Sequence, residues 1–176
     1  MLAMSCTSPR GSSIAGPVAT VRPAALGLVR VEISGRDAAA HDLEIQCQAN
    51  YLGYRWLFTI RLPGGTHDPV GYALAIAAGL GAEAIIVTDL AHVDDQLERI
   101  IADFDLATTA PARLWRRGVA ESLAVHAFPL NDCTWEPTQL EPDCARRLWE
   151  VHRDCFPDCL SRLAASAALS AADEVD

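Results

Sequence analysis

Ser34 is the one serine at the carboxyl end of an expected strand, with Arg30 and Arg36 on the same segment. A hydroxyl beside guanidinium groups is a donor set for nucleophilic attack on a phosphate, because the cations neutralise charge as it develops. Asp89 closes the run Ala84 to Thr88 (AIIVT), and His92, Asp94 and Asp95 follow it. Carboxylates and an imidazole there suit a divalent metal or phosphoryl transfer; acids in a first helical turn also suit the helix dipole with no site at all. Cys144, His152, Cys155 and Cys159 carry the sulfur and imidazole donors that zinc prefers. Their spacings match no common zinc ribbon or finger. Cys144, Leu148, Val151 and Cys155 also fall at helical offsets 0, 4, 7 and 11, which predicts an apolar stripe with Cys155 packed against Leu148 and Val151. The loop Gly64-Gly65-Thr66-His67-Asp68 lies between a strand and a helix, where backbone N–H groups can hold an anion. Asp68 as a cap repels a phosphate, so the loop reads better as a capped turn. GxSxG, HExxH and CxxC are absent.

The elements that position these residues follow from hydrophobic period. Leu26 to Ile33 alternates and is rich in Val and Ile, a first strand. Asp37 caps a helix to about Leu52 with Ala40, Leu43, Cys47 and Tyr51 on its buried stripe. Tyr54 to Leu62 is a second strand. Asp68-Pro69 opens a helix to about Ala78, stopped by Gly79-Leu80-Gly81. AIIVT is a continuous apolar run, the pattern of a central parallel strand covered on both faces. Val93 to Phe104 is the next amphipathic helix; Leu106 to Thr109 and Leu123 to Phe128 are further strands. Alternating strands and helices predict an α/β fold, a doubly wound, mainly parallel sheet with helices on both faces. The expected organisation is a flexible arm over 1–25, an α/β domain over 26–128, a linker over 129–142, C-terminal helices over 143–170 and a frayed tail over 171–176.

Composition narrows the function classes. All 14 basic residues are arginine, which excludes Schiff-base and P-loop lysine chemistry. A net charge of -9 opposes nucleic acid, so binding there is expected to be weak or nil, with Arg113, Arg116 and Arg117 as the one compact basic cluster. No apolar run is long enough for a membrane span and the N-terminus lacks an apolar signal core, so the expected location is the cytoplasm, the Arg and Ala bias suggesting a high-GC bacterial genome. In that reducing compartment a disulfide framework is not expected for the six cysteines, and no cofactor is called for.

Residues Gly27 to about Phe104 resemble the N-terminal catalytic domain of serine recombinases, the resolvases and invertases. The order is similar: strand, turn, long helix, strand, loop, the helix in DPVGYALAIAAGLGAEA, strand AIIVT, then LAHV. The family's first strand ends in Tyr-x-Arg-Val-Ser. Arg30 falls on that arginine with Glu32 at the serine; a shift of two puts Ser34 on the serine and Glu32 on the arginine. Against the family's Leu-Asp-Arg-Leu-x-Arg, Ala91 replaces the aspartate, His92 the first arginine and Asp95 the last; Asp68-Pro69 stands where an Arg-Pro pair is usual. The resemblance implies a degenerate, non-catalytic domain kept as a regulatory or interaction module. It also implies a protein partner or self-association, and Trp115, Trp135 and Trp149 are candidate interface aromatics. Two alternatives stand beside it. One is an active recombinase or other phosphoryl-transfer enzyme using Ser34 or Asp89, which requires Arg30, Arg36 and Arg55 to cluster at Ser34. The other is a metal or redox sensor, which requires three thiols and His152 to converge.

Overall fold

The structure is a computed structural model that describes residues 21–173. Most of the expected arm, with Cys6, and the end of the expected tail lie outside the described residues. Six strands form one mixed sheet in the order β2-β1-β3-β4-β5-β6: β1 (Ala24–Arg30), β2 (Arg55–Leu62), β3 (Ala84–Val87), β4 (Asp105–Thr109), β5 (Ala112–Trp115) and β6 (Ser122–Ala124). β1 pairs in parallel with β2 and β3, and β3 with β4. β4–β5 and β5–β6 are antiparallel. The AIIVT run is a fully buried interior strand, as its continuous apolar pattern requires.

Alternate residues of β1 serve two cores. Leu26 and Leu28 join a cluster with Val70, Ala73 and Ala77 of helix α3 (Pro69–Gly79) and Ile100 and Ile101 of α4 (Leu97–Ile101). Ala25 and Val29 join another with Ile45 and Ala49 of α2 (Ala38–Tyr51). Gly27 lets α2 sit close to the sheet: a Cβ there would lie 2.3 Å from Thr59 Oγ1 and 2.7 Å from Ile45 Cγ2. The stripe expected on α2 is displaced. Ile45, Cys47, Gln48 and Ala49 are its buried residues, whereas Tyr51 is 39% exposed. Gln48 is satisfied by the incoming chain, accepting from Phe128 N at 2.6 Å and donating to His126 O at 3.0 Å.

Four element boundaries differ from expectation for local physical reasons. The first strand ends at Arg30, because Val31–Ser34 closes a single helical turn, α1. The helix expected from Val93 begins only at Leu97: Leu90–Val93 is a 3-10 turn, and Asp94 and Asp95 adopt left-handed φ of 51° and 54° that a right-handed helix cannot continue through. The strand expected at Leu123 to Phe128 is the short β6, and β5 before it was not expected. Ala110-Pro111 is a two-residue connection from β4 to β5, too short for a crossover and therefore antiparallel. At the C-terminus, α5 (Pro142–His152) stops before Phe156, and α6 (Leu160–Asp173) follows.

Asp68 caps α3 through Gly71 N at 2.9 Å and pairs with Arg99 at 2.7 Å. Those Arg99 hydrogen bonds, then the Gly71 N–H, lower its carboxyl pKa to about 2. The Gly64–Asp68 loop is therefore a capped turn rather than an anion site. The expected absence of disulfides is overturned: Cys47 of α2 and Cys144 of α5 are joined, with Cα atoms 5.5 Å apart across 97 residues of sequence. Both are buried, so helical burial placed them correctly and the pairing is purely tertiary. No helix among the described residues is long and apolar enough to cross a membrane.

Candidate functional site

The C-terminal donors converge, with one change of membership. Cys133, His152, Cys155 and Cys159 each offer a ligand atom, and all four atoms lie within 4.8 Å of one another. His152 Nδ1 stands 3.5 Å from Cys133 Sγ, 3.5 Å from Cys155 Sγ and 3.4 Å from Cys159 Sγ; the Cys133 and Cys155 sulfurs are 3.9 Å apart. Tetrahedral zinc, with bonds of about 2.3 Å to sulfur and 2.0–2.1 Å to nitrogen, has S···S edges of ~3.8 Å and N···S edges of ~3.5 Å. The spacing therefore fits a Cys3His zinc centre. Cys144, expected among the ligands, is spent in the disulfide. Cys133, read as part of a linker, takes its place.

Local structure explains how the four arrive. His152 is the last residue of α5 and is buried. Its Nε2 lies 2.9 Å from Leu130 O, an acceptor only, so Nε2 carries the proton and Nδ1 turns its lone pair to the sulfurs. The helix ends there, which throws Cys155 off the helical stripe. Cys155 is half-buried and Val151 is 36% exposed, so the expected Cys155–Leu148–Val151 packing does not form; His152 fills that position instead. Cys133 sits on a turn built by Asp132, whose Oδ1 accepts from Thr134 N at 2.8 Å. Leu160 N donates to Cys133 O at 2.9 Å, and the buried Ser161 hydroxyl donates to Trp135 O at 2.9 Å and to Asp132 O. The start of α6 thus holds the Cys133 loop in place. The neighbouring sulfurs of Cys159 and Cys155 push the Cys133 thiol up to about 11. A divalent cation reverses that balance, because its charge stabilises thiolates. An open cleft of about 670 Å³ borders Cys133, Cys155 and Cys159 and reaches the sulfurs from solvent.

The second cluster lies at the carboxyl edge of β1 and β3. Ser34 Oγ is 2.9 Å from His92 Nε2 and 2.9 Å from His41 Nδ1, and His92 Nδ1 is 3.1 Å from Asp89 Oδ1. Ser34 is 6% exposed and His92 is fully buried, while the Asp89 side chain is 44% exposed. Asp89 also accepts from Ala91 N, which fixes its carboxylate at the head of the 3-10 turn. Of the expected site residues, Ser34 and Asp89 are thus joined through His92. His41 was not expected; it stands seven residues from Ser34, two turns along the chain, where no motif marks it.

The arginines do not gather there. Arg30 bonds Glu32 at 2.8 Å and also Asp94, which raises its pKa, and its guanidinium is thus neutralised. Arg36 is exposed in the turn after Ser34. Arg55 pairs with Ala24 at the opposite end of β1. Of the basic cluster, Arg116 bonds Asp105 at 2.7 Å and Arg113 donates to Ser122 at 2.9 Å. Two of the three candidate interface tryptophans are also engaged within the fold, while Trp149 is half-buried. Trp115 is 5% exposed and Trp135 packs edge-on against Phe128 and Tyr51.

Comparison of the chain with family models, with curated proteins and with solved structures finds no match.

Proposed function

We propose that the protein is a zinc-binding module, in which a Cys3His centre holds together a C-terminal helical cap that the Cys47–Cys144 bond ties to a doubly wound, resolvase-like α/β domain. It acts by binding a protein partner or a second copy of itself. The observation that carries this reading is His152 Nδ1 facing three sulfurs at tetrahedral spacing, with its other nitrogen committed to Leu130 O. Four protein ligands close the coordination sphere, which is the pattern of a structural rather than a catalytic zinc. The strand–helix order from β1 to β3 supports the recombinase-like ancestry, and the neutralised Arg30 and distant Arg55 argue against phosphodiester chemistry. The test is elemental analysis and native mass measurement of protein purified without chelator. One zinc per chain is expected, falling to near zero in Cys133→Ser. Wild-type protein that arrives metal-free and takes up no zinc on refolding with excess metal would sink the reading.

A second reading is favoured by Cys133, which is exposed and 3.9 Å from Cys155 Sγ. A peroxide oxidises that pair: two thiolates, one peroxide and two protons give a disulfide and two waters, and the zinc leaves. Stoichiometric zinc release on peroxide treatment, reversed by a dithiol, is the expected signature.

A further inference from the structure

We propose that Ser34 is an acyl-accepting nucleophile, with His92 as its general base and Asp89 as the group that orients His92, acting on small uncharged or cationic carboxylic esters. The proposal is independent of the zinc centre, which involves none of these residues.

The hydrogen-bond pattern has one solution for neutral imidazoles. Asp89 carboxylate accepts only, so His92 Nδ1 carries the proton and Nε2 offers a lone pair. Ser34 Oγ–H therefore donates to His92 Nε2, and the remaining contact is His41 Nδ1–H donating to Ser34 Oγ. That is the geometry of a serine–histidine–carboxylate relay: the hydroxyl points at a base whose tautomer is set by an acid. His41 adds a donor aimed at the oxygen that loses its proton.

A buried knot tying two loops together would also satisfy these groups. Two further observations go beyond what a knot needs. First, the chain leaves β1 toward β2 and returns to β3 on the other side of β1, so the carboxyl ends of β1 and β3 flank the topological switch point of the sheet. Open α/β sheets bind ligands there. Ser34 follows β1, and Asp89 and His92 follow β3. Second, the segment just beyond His92 holds two consecutive non-glycine residues, Asp94 and Asp95, in left-handed conformation. Such residues persist where the surroundings impose them, a condition that clusters at functional sites.

The surroundings also choose the substrate. Glu32, Asp89 and Asp94 line the same edge, and Arg30 is consumed by Glu32 and Asp94. An anionic substrate meets three carboxylates there against the single exposed guanidinium of Arg36, so uncharged acyl esters fit better than phosphodiesters. With Ser34 only 6% exposed, a small acyl group is the one that reaches Oγ. In the first step the Oγ–H proton passes to His92 Nε2, the Oγ–acyl carbon bond forms, and the ester's carbon–oxygen bond breaks. The departing alkoxide takes the proton from His92. Water then attacks the acyl-serine with His92 as base, releasing the acid and restoring Ser34.

The experiment treats the full chain with a small alkyl fluorophosphonate, in which Oγ–P replaces P–F and fluoride leaves with the proton, and separately with p-nitrophenyl acetate. Intact-mass and peptide analysis should find a single phosphonyl adduct on Ser34, absent in Ser34→Ala. Removing a general base slows such a step by about 100- to 10,000-fold, so labelling of His92→Gln should fall by that range. Because His92 is buried and its replacement can cost the fold, Asp89→Asn, at a half-exposed side chain, carries the same comparison with the melting temperature checked in parallel. Saturating probe that leaves wild-type Ser34 unmodified, or adducts found only at other residues, overturns the proposal and leaves Ser34 as a structural knot.

Discussion

Replacing His152 with alanine separates a metal centre from a packed group of thiols. The imidazole is 2% exposed and donates to Leu130 O at 2.9 Å. Removing it leaves that carbonyl unpaired at a cost of about 1–3 kcal/mol. It also removes one of four ligands. A metal present at about 100 times its dissociation constant contributes about 2.7 kcal/mol to the folded state. For a chain of this size each kcal/mol moves Tm by about 2–4 °C. Chelation alone should therefore lower the wild-type Tm by about 5–11 °C, and His152→Ala should melt a further ~2–12 °C below the chelated wild type. The decisive comparison is the difference of differences by scanning calorimetry: chelator shifts the wild type and leaves His152→Ala unmoved. Equal wild-type Tm with and without chelator, in protein refolded with excess zinc, would refute the zinc centre. His152 would then be a buried hydrogen-bond donor and nothing more.

Reduction of Cys47–Cys144, or Cys144→Ser, should destabilise the protein by about 2–4 kcal/mol in urea unfolding, since the bridge spans 97 residues of chain; an unchanged urea midpoint would show the bond absent in solution. Gly27→Ala should cost about 1–3 kcal/mol by overpacking, because its Cβ meets Thr59 Oγ1 at 2.3 Å, and Thr59→Ser should not relieve it, as the hydroxyl stays. Asp105 is partly buried, which raises its pKa, but hydrogen bonds from Tyr54, Arg117 N and Arg116 outweigh this and lower it overall. Its contribution to stability is therefore intact above the unfolded carboxyl value of ~3.9 and is lost as pH falls through the lower folded value, so the acid limb of the wild type should be steeper than that of Asp105→Asn. Incubation with supercoiled plasmid should give no covalent protein–DNA adduct; one that disappears in Ser34→Ala would restore the recombinase reading.

The sequence alone determined what local period and capping chemistry control. The order of β1, α2, β2, α3 and β3 is legible because each element writes its own hydrophobic pattern, and AIIVT is interior because an unbroken apolar run has no face for water. Asp68 as a cap follows from its place before Pro69. Three of the four metal donors, His152, Cys155 and Cys159, were visible as donor types within one turn or two of each other. The tertiary structure decided the rest. Cys144 and Cys133 exchange roles because Cys144 faces Cys47 across 97 residues, while the Asp132 turn and Ser161 deliver Cys133 to His152. No periodicity within one element encodes a meeting between elements. The same holds for Ser34. Its partner His92 is 58 residues away, and the two meet only because β1 and β3 lie side by side at the point where the chain reverses its course across the sheet.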